Sequence, residues 1–272
     1  MFSQIGKRLL LWVLTLVIIP LGTVSFITYF QARKALIEQI YTTLNVVSDS
    51  LRTELVSFLE SKKNRVKEVA TYRYLRDTLR QIYQHPERKE LIVELKKYLV
   101  REKAPLDPDI YDILIFNREG ALISSTHETG EGITVSREYF SSGRKGIAFE
   151  SIKTINGTRI FSLSAPIIDA EKGDFLGVAT VRFKASAIDT IFLDEIKILR
   201  GVRTDISGVE TWGRIYVVDK SKTVIADSSQ LFLGRHVDIE PVNRAFGSKL
   251  EMTGEFVGIL GKDRLGASLL LE

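Results

Sequence analysis

The sequence contains no cysteine. Disulfides, thiolate metal sites and cysteine nucleophiles are therefore excluded. The lack assigns no compartment, because an exported domain can fold without disulfides. Histidine is scarce as well: His85, His127 and His236 are scattered, with no second ligand at metal spacing, so no metal site is expected. His127-Glu128 does not open a zinc protease motif, since Gly130 and Glu131 stand where a second histidine is needed. There is no P-loop, no Gly-x-Ser-x-Gly and no dinucleotide fingerprint, so no cofactor is expected. Glu150, Asp169 and Asp174 fall in or near turns, where surface carboxylates are ordinary, and paired-carboxylate chemistry needs a cleft. The chain is not expected to be an enzyme. Net charge is +4, and the basic residues form no stripe interleaved with aromatics, which argues against nucleic acid as a partner.

Two further absences shape the N-terminal third. No charge occurs from Leu9 to Ala32. A helix of that length spans about 36 Å, enough for a hydrocarbon core of about 30 Å. Pro20 and Gly22 lie mid-span, which membrane helices tolerate. A cleaved signal peptide is the competing reading, but the apolar run is longer than a signal core and no small-x-small cleavage site follows cleanly. Lys7 and Arg8 precede the span and Arg33 and Lys34 follow it, so charge alone barely orients it. An inside N-terminus fits a chain whose remainder reads as exported.

No proline or glycine occurs between Thr23 and His85. Arg33 to about Ile82 therefore reads as one long helix. Leu36, Ile40, Leu44, Val47, Leu51, Leu55, Phe58, Val66 and Val69 recur at spacings of four, four and three, with Lys62 as the one polar interruption. Such an eleven-residue repeat has about 3.67 residues per turn, close to a straight helix. The stripe serves either of two purposes: packing against its own domain, or pairing near the membrane with a second copy in a homodimer. Gln84 to Arg88 breaks the rod, and Glu90 to Arg101 reads as a second helix with Leu91, Leu95 and Leu99 on one face. Pro105 and Pro108 end helical structure.

With 44% apolar and 26% charged residues, the 272-residue chain has material for one or two domains. Its centre runs from Tyr111 to Phe183. An apolar strand and turn over Asp112–Gly120 precede a strand at Ala121–Ser125 and a short helix-like segment, Arg137-Glu-Tyr-Phe140. Strands at Arg159–Ile168 and Phe175–Phe183 close the unit. Asn117, Gly120, Gly157 and Gly173 mark the turns of antiparallel hairpins. A sheet crossed by a helix encloses a small pocket, a common shape for a ligand site. Lys184 to Leu199 reads as a helix, and a polar linker with Gly201, Asp205, Gly208 and Gly213 follows.

The chain then repeats itself. Ile215–Ser228 lines up with Ile113–Thr126 as strand, polar turn and strand in one register, and Gly254–Gly261 with Gly266–Leu271 reads as a later hairpin. The second copy lacks an equivalent of Phe175–Phe183, so the chain is expected to be the N-terminal portion of a longer protein.

This order of parts resembles the extracytoplasmic double Cache sensors of bacterial receptors, a PAS-like family. Arg137-Glu-Tyr-Phe140 is similar to the family's Arg-x-aromatic-aromatic segment near the pocket, and Ser164–Asp169 with Gly177–Val181 is similar to its last two strands. The resemblance implies the sensor of a histidine kinase, chemoreceptor or cyclic-dinucleotide enzyme, which binds a small molecule outside and passes a shift inward. Many such sensors hold amino acids through a tyrosine ahead of that arginine and an aspartate in the last strand. Here Gly132 and Arg182 stand at those places. Arg182 would repel an ammonium group, whereas Arg137 with Arg182 would suit a carboxylate.

The candidate ligand-binding residues are Arg137, Tyr139, Ser162, Ser164 and Arg182. Each has a plainer role. Arg137 could form a structural ion pair, and Tyr139 could serve core packing. Ser162 and Ser164 share one strand face and could simply be exposed. Arg182 either faces solvent or points into the pocket. The expected fold is α+β: a cytoplasmic N-terminus (1–8), transmembrane helix (9–32), long stalk helix and second helix (33–103), distal PAS-like module (104–186), connecting helix and linker (187–212), and a truncated proximal module (213–272). The expected function is small-molecule sensing by a receptor in the inner membrane. The alternative is a membrane-anchored module that docks a periplasmic protein instead.

Overall fold

A computed structural model describes residues 4–127, 137–192, 216–227, 232–248, 252–257 and 263–268. Helix α1 spans Gln4–Thr71 without a break, and its stretch from Trp12 is long and apolar enough to cross a membrane. Residues from Trp12 to Phe30 expose their large apolar side chains, as a lipid-facing segment does. The expected rod to Ile82 does not continue unbroken. Tyr72 is extended (φ −66°, ψ 129°), and α2 restarts at Arg73–Gln84. No glycine or proline marks this corner. The Tyr72 ring stacks on Tyr98 at 5.4 Å and carries the Lys103 ammonium 3.8 Å from its centre, so tertiary packing overrides helix propensity there. Helix α3 follows at Glu90–Tyr98 and unwinds through a π turn, Leu99–Lys103, before the sheet.

Residues 51–237 form one compact unit. Its sheet contains β1 (Ile110–Phe116), β2 (Leu122–Ser125), β3 (Ala148–Ile155), β4 (Thr158–Ile168) and β5 (Phe175–Lys184). All pairs are antiparallel, in the order β2-β1-β5-β4-β3. Strand β3 was not read from the sequence, although the turn at Gly157 implied a partner for β4. Its Phe149, Glu150 and Lys153 mix apolar and charged residues, as an edge strand with one wet side does. Helix α4 (Arg137–Gly143) lies between β2 and β3 in the chain, and helix α5 covers 186–192.

One sheet face receives the helices. Phe161 stacks on Phe183 at 5.3 Å and meets Phe58 of α1 at 6.0 Å. The α1 stripe residues Leu51, Leu55, Val66 and Val69 are buried, as are Leu75 and Leu79 of α2 and Leu91 and Leu95 of α3. This stripe therefore serves its own unit along 51–71. Each such side chain contributes about 1.5–3 kcal/mol by leaving water. Lys62 is buried within the stripe and bonded to Asp107 and Asp109. At the other end, Arg80 of α2 holds Asp169 through two guanidinium nitrogens, and that carboxyl sits at about 2, well below the usual range.

The sequence repeat extends to individual hydrogen bonds. β6 (Tyr216–Val218) and β7 (Val224–Asp227) pair antiparallel, as β1 and β2 do. Asn117 Oδ1 accepts from the amides of Glu119 and Ala121, and Asp219 Oδ1 accepts from those of Ser221 and Thr223. The third turn residue is left-handed in both: Gly120 at φ +85° and Lys222 at φ +59°. A side chain strains that conformation. Lys222→Gly is expected to raise stability by up to about 1 kcal/mol in denaturant unfolding. Gly120→Ala is expected to lower it, because its Cβ would also meet the Phe140 ring at 3.0 Å.

The other unit comprises residues 1–50 and 238–270. It contains α6 (Glu240–Ser248), which the sequence reading missed, and the hairpin of β8 (Met252–Val257) and β9 (Asp263–Ser268). That hairpin begins two to three residues earlier than expected, with Val257 opposite Asp263. The Thr253 hydroxyl donates to Asn45 Oδ1 of α1 at 2.8 Å, and Val47 of the stripe is buried.

Candidate functional site

The second sheet face lies under α4. Gly143 makes this approach possible: a Cβ there would fall 2.6 Å from Val178 Cγ1 and 2.7 Å from Ser164 Cβ. Tyr139 of α4 packs with Leu114, Phe116 and Val178, and Phe140 closes the same cluster. The apolar half of this face is thus filled by the helix.

The other half is polar. Cross-strand register places Asp112 of β1 beside Arg182 of β5, Arg182 beside Ser162 of β4, and Ser162 beside Glu150 of β3. The adjoining row holds Leu114, Thr180, Ser164 and Ala148. Strands alternate faces with a period of two, so both rows share the side on which Tyr139 and Gly143 lie. The side chains of Arg182 and Asp112 are 3% and 0% exposed. Arg182 Nε donates to Asp112 Oδ1 at 2.5 Å, and Nη2 donates to Oδ2. Burial opposes the Arg182 charge, but the bonds and attraction from Asp112 outweigh it and raise its pKa above the ordinary value. The Tyr111 ring lies 5.6 Å from the guanidinium carbon and stacks on His127 at 5.1 Å. The Ser164 and Thr180 hydroxyls are hydrogen-bonded at 2.8 Å. Lys153 bonds Glu150 at 3.5 Å and lies 5.5 Å from the Tyr139 ring.

Of the residues singled out in the sequence, Ser162, Ser164 and Arg182 come together on this face, and Tyr139 sits at its apolar end. Arg137 begins α4, and its side chain, like Gly132, lies outside the described residues. Three expectations are corrected. Arg182 does not face solvent, because β5 is the central strand and is covered on both sides. Ser162 and Ser164 are buried rather than exposed, for the same reason. Arg182 is also not an uncompensated positive charge: Asp112 neutralises it, so its repulsion of an ammonium group lapses. Asp112 and Thr180 were missed. Asp112 had a signal: it and Arg182 are charges of opposite sign inside two apolar runs, Tyr111–Phe116 and Val178–Phe183.

No family model and no curated protein matches the sequence. Solved structures do match. The ligand-binding domain of the Campylobacter jejuni chemoreceptor Tlp3, in complex with L-valine, has a TM-score of 0.58 at 12% identity, over 88% of this chain and 91% of that one. The sensor domain of the Vibrio cholerae histidine kinase DctB gives 0.54 at 20% identity, over 77% and 74%. The ligand-binding domain of the Pseudomonas aeruginosa amino acid chemoreceptor PctC, in complex with GABA, gives 0.54 at 12% identity, over 82% and 89%. This is the Cache sensor fold. As the sequence order implied, the long α1 precedes the sheet. At these identities the likeness concerns the fold.

Proposed function

We propose that this chain senses a small organic carboxylate on the α4-covered face of its sheet. The reading places α1 across the inner membrane and the sensor region outside it. The observation that carries it is the pair of buried polar rows, Asp112–Arg182–Ser162 and Thr180–Ser164, on a sheet of a receptor-sensor fold. With Nε and Nη2 of Arg182 taken by Asp112, what this face offers a ligand carboxylate is the remaining Nη1 of Arg182 and the hydroxyls in register beside it. Arg137, at the start of α4, is the second cation of this proposal, and Tyr139 lies at the apolar end of the face. Asp112 makes the face compatible with a ligand that also carries an ammonium group. The polar rows favour a small molecule, whereas the apolar half of the face, filled by α4, is what the partner-docking alternative expects. The output is a shift in α1, and a ligand drives it only by binding one arrangement more tightly than the other.

The test uses the detergent-solubilised full chain and three probes: L-valine, GABA and succinate. At least one is expected to raise the melting temperature in a concentration-dependent manner. Arg137→Ala is expected to weaken that probe at least tenfold while leaving the ligand-free melting temperature unchanged. Equal affinity in Arg137→Ala removes Arg137 from the site.

A further inference from the structure

Lys62 is the one polar residue in the α1 stripe, and packing alone gives no reason for it. Its ammonium is buried and donates to Asp107 Oδ1 at 2.9 Å, Asp107 Oδ2 at 2.7 Å and Asp109 Oδ2 at 2.7 Å. The rings of Phe58 and Phe183 lie 5.1 and 5.3 Å from it. Both carboxylates belong to the turn that leads into β1. That turn is also tied to β5: the Lys184 amide donates to the Asp109 carbonyl at 2.8 Å. Asp112 and Arg182 come next along the same two strands, about 10 Å on in β1 and about 7 Å on in β5. One short two-strand segment therefore carries a buried charge cluster on each face. One cluster holds α1, and the other lies on the α4-covered face.

We propose that Lys62, Asp107 and Asp109 form the coupling through which the polar face acts on α1. Lys62 is a positioning residue: it fixes the axial register of α1 against the sheet and passes on any shift of the Asp109–Asp112 segment. An apolar stripe with a regular repeat can slide and still bury apolar surface. A displaced buried ammonium would lose its carboxylates, so the triad cannot slide. Because α1 runs unbroken from Gln4 to Thr71, the shift travels along one helix. The inference rests on the sensing proposal for the origin of the shift. The coupling itself is tested without any ligand.

Hydrogen exchange of the full chain in detergent reads it. Asp112→Asn with Arg182→Gln perturbs only the polar face. Exchange in α1 residues 58–66 is expected to rise at least fivefold, with α2 residues 73–84 unchanged. Arg182→Lys, which keeps the charge but not the two-pronged geometry, is expected to act in the same direction and serves if the double variant loosens globally. In the background Lys62→Met, Asp107→Asn, Asp109→Asn, the same face changes are expected to leave α1 exchange unaltered. Unchanged α1 exchange in the native background overturns the coupling, as does an equal rise in both backgrounds. If none of the three probes binds, the sensing proposal fails and the exchange result still stands or falls by itself.

Discussion

Arg182→Met is expected to destabilise the unit of residues 51–237 by about 3–5 kcal/mol, because it strands Asp112 in the core without its partner. In a domain of this size that is a fall of roughly 6–20 °C in melting temperature. The double replacement Asp112→Leu, Arg182→Met is expected to recover most of the loss or exceed the native stability. Removing both charges abolishes the desolvation penalty, and the central strand between Phe175 and Phe183 then carries no charge. Thermal unfolding of the native, single and double variants checks this. Equal destabilisation by the single and double variants would mean that the pair itself, rather than the stranded charge, holds the sheet. A stable double variant would also show that the fold does not require a charge pair at this place, which leaves a functional reason for it.

Gly177→Ala is expected to be nearly as severe. A Cβ at that position falls 2.1 Å from the Phe116 carbonyl oxygen. The obstacle is backbone, so β1 and β5 must separate, and the cost is about 3 kcal/mol. Gly173→Ala is the control: its φ is +72°, but nothing lies within 4 Å of the added carbon. That change is expected to cost about 1 kcal/mol, from backbone strain alone. Denaturant unfolding separates the two. Similar losses in both would show that β1 and β5 adjust without cost, and the close approach would then have no consequence.

Much of this fold is legible in the sequence where local chemistry decides. The uncharged run after Arg8, the regular stripe of α1, and the strands bounded by Asn117, Gly120 and Gly173 all follow from spacing and turn residues. The repeat at Ile215 is legible too, because Asp219 repeats the side-chain role of Asn117. What stayed hidden depends on distant neighbours. Tyr72 turns the chain only because Tyr98 and Lys103 receive its ring. Strand β3 hid because an edge strand tolerates Glu150 and Lys153. The site was half legible. Ser162 and Ser164 were singled out on one strand and Arg182 on another. Their burial, and the role of Asp112, required the order β1-β5-β4, which no local pattern encodes. Lys62 was visible as an anomaly, but its carboxylates lie 45 and 47 residues away.

The most direct measurement is hydrogen exchange of the native protein with and without each of L-valine, GABA and succinate. Slowed exchange is expected in α4, at 137–143, and along β5 at 178–182, from at least one of the three. No change with any of them, or protection confined to other elements, would contradict sensing on the α4-covered face.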